Sequence, residues 1–247
     1  MERVAIIVET REHKALPFVI NNVMSVLSDD WQLQIFHGLS NLEYIQNFMS
    51  NDNFKKYLEK TTFTNLNIES ITADQSSLDI MLTTKFWNQV IADNVLYFEC
   101  DTMLCTNSKY KIDDYMHHNY IGGWWGFPFD ISSLEQTYDR VMNGGVSFRK
   151  KKFMLDIIEN KLEGYLANGG NPCEDYFVSA CVVERPKVKE VLSFSIDSSF
   201  MYPLDDNAPF GIHKPWGVPG KENSGQYYTQ VKRVCDGVEF LEKLNNV

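Results

Sequence analysis

Apolar and polar positions along the first hundred residues alternate between two periods. Val4-Ala-Ile-Ile-Val8 is a short unbroken apolar run, the pattern of a strand buried on both faces, and it leads into the polar stretch Glu9-Thr10-Arg11-Glu12-His13. Leu16 to Met24 repeats at helical spacing with Pro17 in its first turn, where a missing N–H leaves no bond unmade. Trp31 to Gly38 predicts a second strand and Asn41 to Ser50 a second helix, with Phe54 to Glu59 extending that helical region. Asn67 to Ile71 predicts a short strand and Leu78 to Ile91 a helix. Val95 to Cys105 predicts a strand carrying Glu99 and Asp101 on one face, since residues two apart point the same way. Strands alternating with helices predict an α/β fold with a parallel sheet wrapped by helices. Ligands of such sheets bind beyond the carboxyl ends of the strands, which places Glu9 to Arg11, His37-Gly38 and Glu99 to Asp101 along one rim.

After Cys105 the periodicity gives way. Tyr120-Ile-Gly-Gly-Trp-Trp-Gly-Phe-Pro-Phe129 predicts an aromatic binding loop. Its rings can stack on sugars or bases, or Trp124 and Trp125 can plug the core. Asn143-Gly144-Gly145 precedes a short alternating strand through Arg149, and two glycines there allow close approach of backbone to a ligand. Gly169 to Cys173 is a loop, followed by a helix from Glu174 to Cys181. Its acidic first turn serves either as a cap or as a general base at a pocket rim. Pro209 to Gly217 holds His213 and Lys214 in a rigid loop; imidazole is a common metal ligand and Lys a common phosphate partner.

Composition narrows the field. The 247 residues, 44% hydrophobic and 13% aromatic, supply a core for one compact body, and no linker or repeat divides them. A net charge of -10 and a pI near 5.0 argue against nucleic acid as the partner. The one dense basic run, Arg149-Lys150-Lys151-Lys152, fits a solvated helix start better than a phosphate site. Five cysteines lack paired C-x-x-C spacing, so reduced thiols and a cytoplasmic location are expected. The opening Met1-Glu2-Arg3 runs straight into a strand too short for a signal sequence, and no stretch approaches a membrane span.

Hard cations such as Mn²⁺ or Mg²⁺ take one or two carboxylates plus substrate phosphates, and Glu99 and Asp101 at a strand end suit that role. Asp and Glu at such positions also serve turns or solvent. Taken in order, V-x-E-T-R, I-F-H-G, F-E-C-D, Y-I-G-G-W-W, N-G-G-V-S-F-R, C-E-D-Y-F and P-F-G-I-H-K-P-W resemble a glycosyltransferase family with a GT-A-like fold, the group filed as DUF5672. The resemblance runs from about Val4 to Trp216.

That resemblance implies a single GT-A-like domain with a Rossmann-like, mostly parallel sheet. About residues 1–105 would form the nucleotide-binding half and about 106–247 the acceptor and sugar half. It implies a transferase moving sugar from a nucleotide-sugar donor, with a UDP-sugar favoured, to a glycan, protein or small-molecule hydroxyl. Asp101 would be the last acid of the D-x-D metal motif and His213 the C-terminal metal ligand. Glu99 replaces the first acid and would contact ribose or water instead of the metal, and Lys214 would meet the diphosphate. Asp175, or else Glu174, would be the base of an inverting reaction. Glu9, Thr10 and Arg11 would contact base or ribose, and Asn143, Gly144, Gly145 and Trp124 the sugar or acceptor. Two other readings compete: a sugar-binding protein without turnover, and a nucleotidyltransferase. The second needs a Gly-rich basic loop where this chain has the acidic Glu9-Thr10-Arg11-Glu12.

Overall fold

The unbroken apolar runs become the centre of a sheet. In the computed structural model, which describes residues 2–69, 80–125, 133–198, 207–217 and 227–245, β1 (Arg3–Val8) pairs in parallel with β2 (Trp31–His37) and with β4 (Asn94–Phe98). β2 pairs in parallel with β3 (Thr61–Asn65). Every residue of β4 is buried, as expected of a strand covered on both faces. β5 (Thr102–Leu104) follows β4 after a turn, and β7 (Met142–Lys150) runs antiparallel to β4 and to β6 (Tyr120–Trp124). β8 (Ser195–Asp197) pairs in parallel with β6 and β9 (Gly211–His213), and β9 runs antiparallel to β5.

The described strands lie in the order β3-β2-β1-β4-β7-β6-β8-β9-β5. β4 and β5 are thus five places apart in the sheet, about 24 Å if it were flat, at about 4.8 Å per strand. The three residues 99–101 that join them reach about 14 Å at most. The sheet therefore curls until its β9-β5 edge returns to the end of β4. Asn22, on α1 (Leu16–Val26), fixes that edge: its amide donates to the Leu104 carbonyl at 3.0 Å and accepts from the Leu104 N–H at 2.7 Å.

The other helices cover the sheet: α2 (Leu42–Met49), α3 (Asp52–Leu58), α4 (Thr84–Gln89), α5 (Lys151–Ala167), α6 (Glu174–Cys181), α7 (Val188–Phe194), α8 (Tyr228–Val234) and α9 (Val238–Asn245). α5 buries Met154, Ile157 and Ile158, the i, i+3, i+4 stripe of a helix lying on a core. Among the described residues no helix is long and apolar enough to cross a membrane.

Several expectations are corrected. The strand expected at Asn67 to Ile71 lies earlier, at β3, where Thr61 to Thr64 pair with β2; Asn67 takes a φ of 59°, outside strand geometry, and residues 70 and 71 lie outside the described residues. The helix expected from Leu78 to Ile91 is present as α4; the Thr83 hydroxyl caps it by accepting from the Phe86 N–H at 3.2 Å, and residues 78 and 79 are not described. The aromatic loop is a buried strand, β6, as far as Trp124; residues 126–132 are outside the described residues. Gly122 is glycine because a Cβ there would sit 2.4 Å from the Asn143 carbonyl oxygen, next to the bulge between Gly122 and Gly123. Of the basic run, Lys151 opens α5 as expected, but Arg149 is wholly buried inside β7.

The cysteine expectation also changes. Cys105 and Cys235 form a disulfide across 130 residues, with Cα atoms 5.0 Å apart, while Cys100, Cys173 and Cys181 are free thiols. The bridge ties the end of β5 to the end of α8. Closing so long a loop removes freedom from the unfolded chain, by about 2–5 kcal/mol in typical cases. Dithiothreitol should therefore lower the melting temperature by several degrees, and Cys105→Ser with Cys235→Ser should melt at the reduced value with or without reductant.

Candidate active site

The ends of β1, β2 and β4 meet as the sheet rule requires. The Asn41 amide, fully buried, donates to the carbonyls of Glu9 at 2.9 Å and Arg11 at 3.1 Å and accepts from the Gly38 N–H at 2.9 Å, so it staples two strand ends together. Arg11 folds back on Glu9 through a two-pronged pair at 2.9 and 2.8 Å. Burial pushes the Glu9 carboxyl up, but Arg11 outweighs it and holds Glu9 below the ordinary carboxylate range. Thr10 is buried beside Gly38, and Arg11 reaches toward solvent.

Glu99 and Asp101 sit in the turn between β4 and β5, and β9 brings His213 to them. His213 Nε2 lies 3.4 Å from Glu99 Oε2 and 3.3 Å from Asp101 Oδ1. The register of β8 on β9 places Asp197 against the other side of the ring, with Oδ2 3.3 Å from Nδ1. The Tyr97 hydroxyl donates to Glu99 Oε1 at 2.9 Å, and the Asp101 carbonyl accepts from the Lys214 N–H at 2.9 Å. Lys214 takes a φ of 45°, in the left-handed region. Burial pushes the Asp101 carboxyl up, but His213 and Lys214 win and hold it below its usual range. Burial pushes the His213 imidazole down, yet Asp101, Asp197 and Glu99 together hold it well above its usual value.

The three donors suit a divalent cation. Metal bonds of about 2.0–2.2 Å set neighbouring ligand atoms about 3.0–3.5 Å apart, as His213 Nε2 stands from each carboxylate, and all three donors lie within 4.8 Å of one another. Asp101 Oδ1 is buried with the His213 imidazole 3.3 Å away and makes no hydrogen bond, so it keeps acceptor capacity that a cation could use.

A second cluster lies beside the first. Glu174 and Asp175 open α6 and are buried, 0% and 7% exposed. Glu174 is paired with the buried Arg149 guanidinium, which also receives the faces of Tyr97 at 4.9 Å and Tyr120 at 5.5 Å and donates to the Ser147 hydroxyl at 2.8 Å. Asp175 has no such partner: its Oδ1 is buried without a hydrogen bond, and burial followed by the Glu174 charge pushes its carboxyl well above the usual range. Burial beside a second carboxylate favours the protonated form of Asp175, the kind of environment that perturbs titratable groups at functional sites.

Both clusters close over the glycine pair of β7. A Cβ on Gly145 would lie 2.6 Å from the His213 ring, and one on Gly144 would lie 2.3 Å from Asp175 Oδ1. The close approach expected of these glycines is thus to two site side chains. Asn143 accepts from the Gly145 N–H at 2.9 Å and shapes this segment. Trp124 is 0% exposed with its ring 4.8 Å from Tyr138, so it plugs the core, the alternative to ligand stacking. Two site residues have no local signal in the sequence: Asp197 depends on the β8–β9 register, and Arg149 is hidden among the lysines that follow it.

With this geometry in view, the DUF5672 profile, described as a protein of unknown function, matches residues 60–213. The chain belongs to the DUF5672 family. A search of curated proteins gives no match. Among solved structures the chain is similar to the glycosyltransferase GlyE of Streptococcus pneumoniae TIGR4, at 12% identity and TM-score 0.56, over 99% of this chain and 61% of that one. It is similar to the galactosyltransferase LgtC, solved with donor and acceptor sugar analogues, at 11% identity and TM-score 0.57, over 98% of this chain and 94% of that one. The bifunctional glycosyltransferase WbbM matches at 13% identity and TM-score 0.50, over 98% of this chain and 51% of that one. The DUF5672 chain therefore has the GT-A fold, and it spans about three fifths of GlyE and half of WbbM.

Two outcomes follow for the metal-free protein. Gly145→Ala should displace the His213 ring, read as a shift of its imidazole resonances in NMR, while the chain stays folded. Asp175 in the folded state has a pKa above its unfolded value, so its contribution to stability is full below about pH 4 and is lost as pH rises through the folded pKa. Asp175→Asn should accordingly melt above the native protein at pH 8, with the gap closing toward pH 4.

Proposed function

We propose that this DUF5672 protein is a metal-dependent glycosyltransferase that moves a sugar from a nucleotide-sugar donor, a UDP-sugar favoured, to the hydroxyl of a glycan, protein or small-molecule acceptor. The observation that carries this reading is the convergence of Glu99, Asp101 and His213 at the rim of a GT-A sheet, with Asp101 Oδ1 buried and unbonded. Glu99, Asp101 and His213 would hold Mn²⁺ or Mg²⁺, with Glu99 kept as a ligand as its strand-end position suggests, although the resemblance implies a ribose or water contact for it. Such an ion, when bound, neutralises the charge that develops on the departing diphosphate.

The chain's own groups do the rest. Glu9, Thr10 and Arg11 stand at the end of β1, where the nucleoside would lie, and Lys214 next to Asp101 supplies a charge for the diphosphate. Asp197 Oδ2 lies 3.3 Å from His213 Nδ1, on the opposite side of the ring from the Nε2 that faces Glu99 and Asp101; a carboxylate behind a ligating imidazole orients it. Asn143, Gly144 and Gly145 form the floor for the sugar. Glu174 is committed to Arg149, so Asp175 is the carboxylate available to take the acceptor proton. Residues 1–105 then serve mainly the nucleotide and 106–247 the sugar and acceptor, with His213 crossing back to the metal. A cytoplasmic site of action now rests on the donor alone, and the Cys105–Cys235 bridge argues for an oxidising compartment.

Purified protein with Mn²⁺ and a panel of UDP-, GDP-, CMP- and dTDP-sugars should release a nucleoside diphosphate or monophosphate from one of them. Asp101→Ala should cut that release by at least a hundredfold with the fold intact. Sugar binding without release from any donor would leave a binding protein instead. Asp175→Asn should keep donor binding, measured by thermal shift, while slowing transfer by orders of magnitude. The base role carries inversion with it: NMR of the product should show the inverted anomer, and retention would remove Asp175 from that role.

A further inference from the structure

At the other end of the sheet from this site, two imidazoles converge on one carboxylate oxygen. His117 and His118 lie in the turn before β6, and Glu190 lies in the first turn of α7. His118 Nε2 is 3.2 Å from Glu190 Oε1 and His117 Nε2 is 3.3 Å from the same atom, with the two rings 3.9 Å apart. The three donor atoms all lie within 4.8 Å of one another. The neighbouring residue Asn119 accepts from the Lys150 N–H at 2.9 Å, and Lys150 pairs with Asn94, the first residue of β4. Glu99 and Asp101 follow the last residue of β4, so the clusters are separated by about the length of that strand, on the order of 15 Å.

We propose that His117, His118 and Glu190 form a second metal site, one that takes Zn²⁺ or a similar borderline transition ion. Two nitrogens and one oxygen suit such an ion and do not suit Mg²⁺ or Ca²⁺, which prefer oxygen throughout. Ligand atoms on a tetrahedral Zn²⁺ with bonds of about 2.0–2.2 Å stand about 3.3 Å apart, which matches both nitrogen–oxygen separations. The set is held ready. His118 is 8% exposed, and Glu190 keeps Oε2 for the Lys187 N–H at 2.7 Å, leaving Oε1 for the imidazoles. His117, 60% exposed, leaves the fourth position open to water. An ion there clamps the turn before β6 to the start of α7, and α7 runs directly into β8, the strand that carries Asp197.

The test is calorimetry of Zn²⁺ binding to chelator-treated protein carrying His213→Ala, which disables the other cluster. One equivalent should bind and raise the melting temperature; adding His117→Ala or Glu190→Gln should weaken it at least tenfold. On the otherwise native chain, His117→Ala should reduce two Zn²⁺ equivalents to one while leaving Mn²⁺ binding unchanged, which keeps the test independent of how His213→Ala folds. Zn²⁺ affinity that is the same with and without His117 overturns the proposal. So does a single equivalent on the native chain that His213→Ala removes. Neither result bears on glycosyl transfer.

Discussion

The structure depends on a tether. Three residues join β4, at the middle of the sheet, to β5, at its far edge, and they are too short to allow the sheet to lie flat. Everything at the candidate active site follows from the curl this imposes. β9 must pair with β5 to give the edge strand a partner, and that pairing sets His213 over the turn that holds Glu99 and Asp101. β8 must then lie beside β9, which puts Asp197 behind the imidazole. A sheet built by local pairing thus assembles a site from residues more than a hundred positions apart.

The middle strand, β7, sets how closely the pieces approach. Its glycine pair removes the two side chains that would stand between the strand and the site, so His213 and Asp175 rest on backbone. Directly along the same strand, Arg149 carries a full charge into the core, where desolvation is costly unless the charge is paired. Glu174 and two tyrosine rings meet that need. The adjacent carboxyl on α6 is left without a counter-charge, and this difference in environment separates the chemistry of Glu174 from that of Asp175.

How far the site was legible in the sequence follows from the same geometry. β1, β2 and the core of β4 were plain because buried parallel strands are continuous apolar runs, and the rim they end on followed from topology alone. β6 reads as a loop in the sequence because Gly122 and Gly123 carry the marks of a turn, whereas Gly122 answers to the Asn143 carbonyl and Gly123 to Ser195, neighbours that only the folded sheet brings near. Arg149 reads as one of a basic run with the lysines after it, though the alternation of β7 turns it inward. Asp197 and the Cys105–Cys235 bridge depend on strand register and on contact across 130 residues, and neither leaves a local trace.

The charge balance of the rim has a consequence for the order of events. Arg149 and Glu174 cancel, and among the described residues Glu9, Glu99, Asp101 and Asp197 stand against Arg11, Lys214 and the shared His213. A bare nucleoside diphosphate approaching that rim meets a field of its own sign. In the proposed reaction the cation is then a condition of entry: the donor arrives with it or after it, and raising the salt concentration, which weakens attraction at most anion sites, would ease this encounter instead.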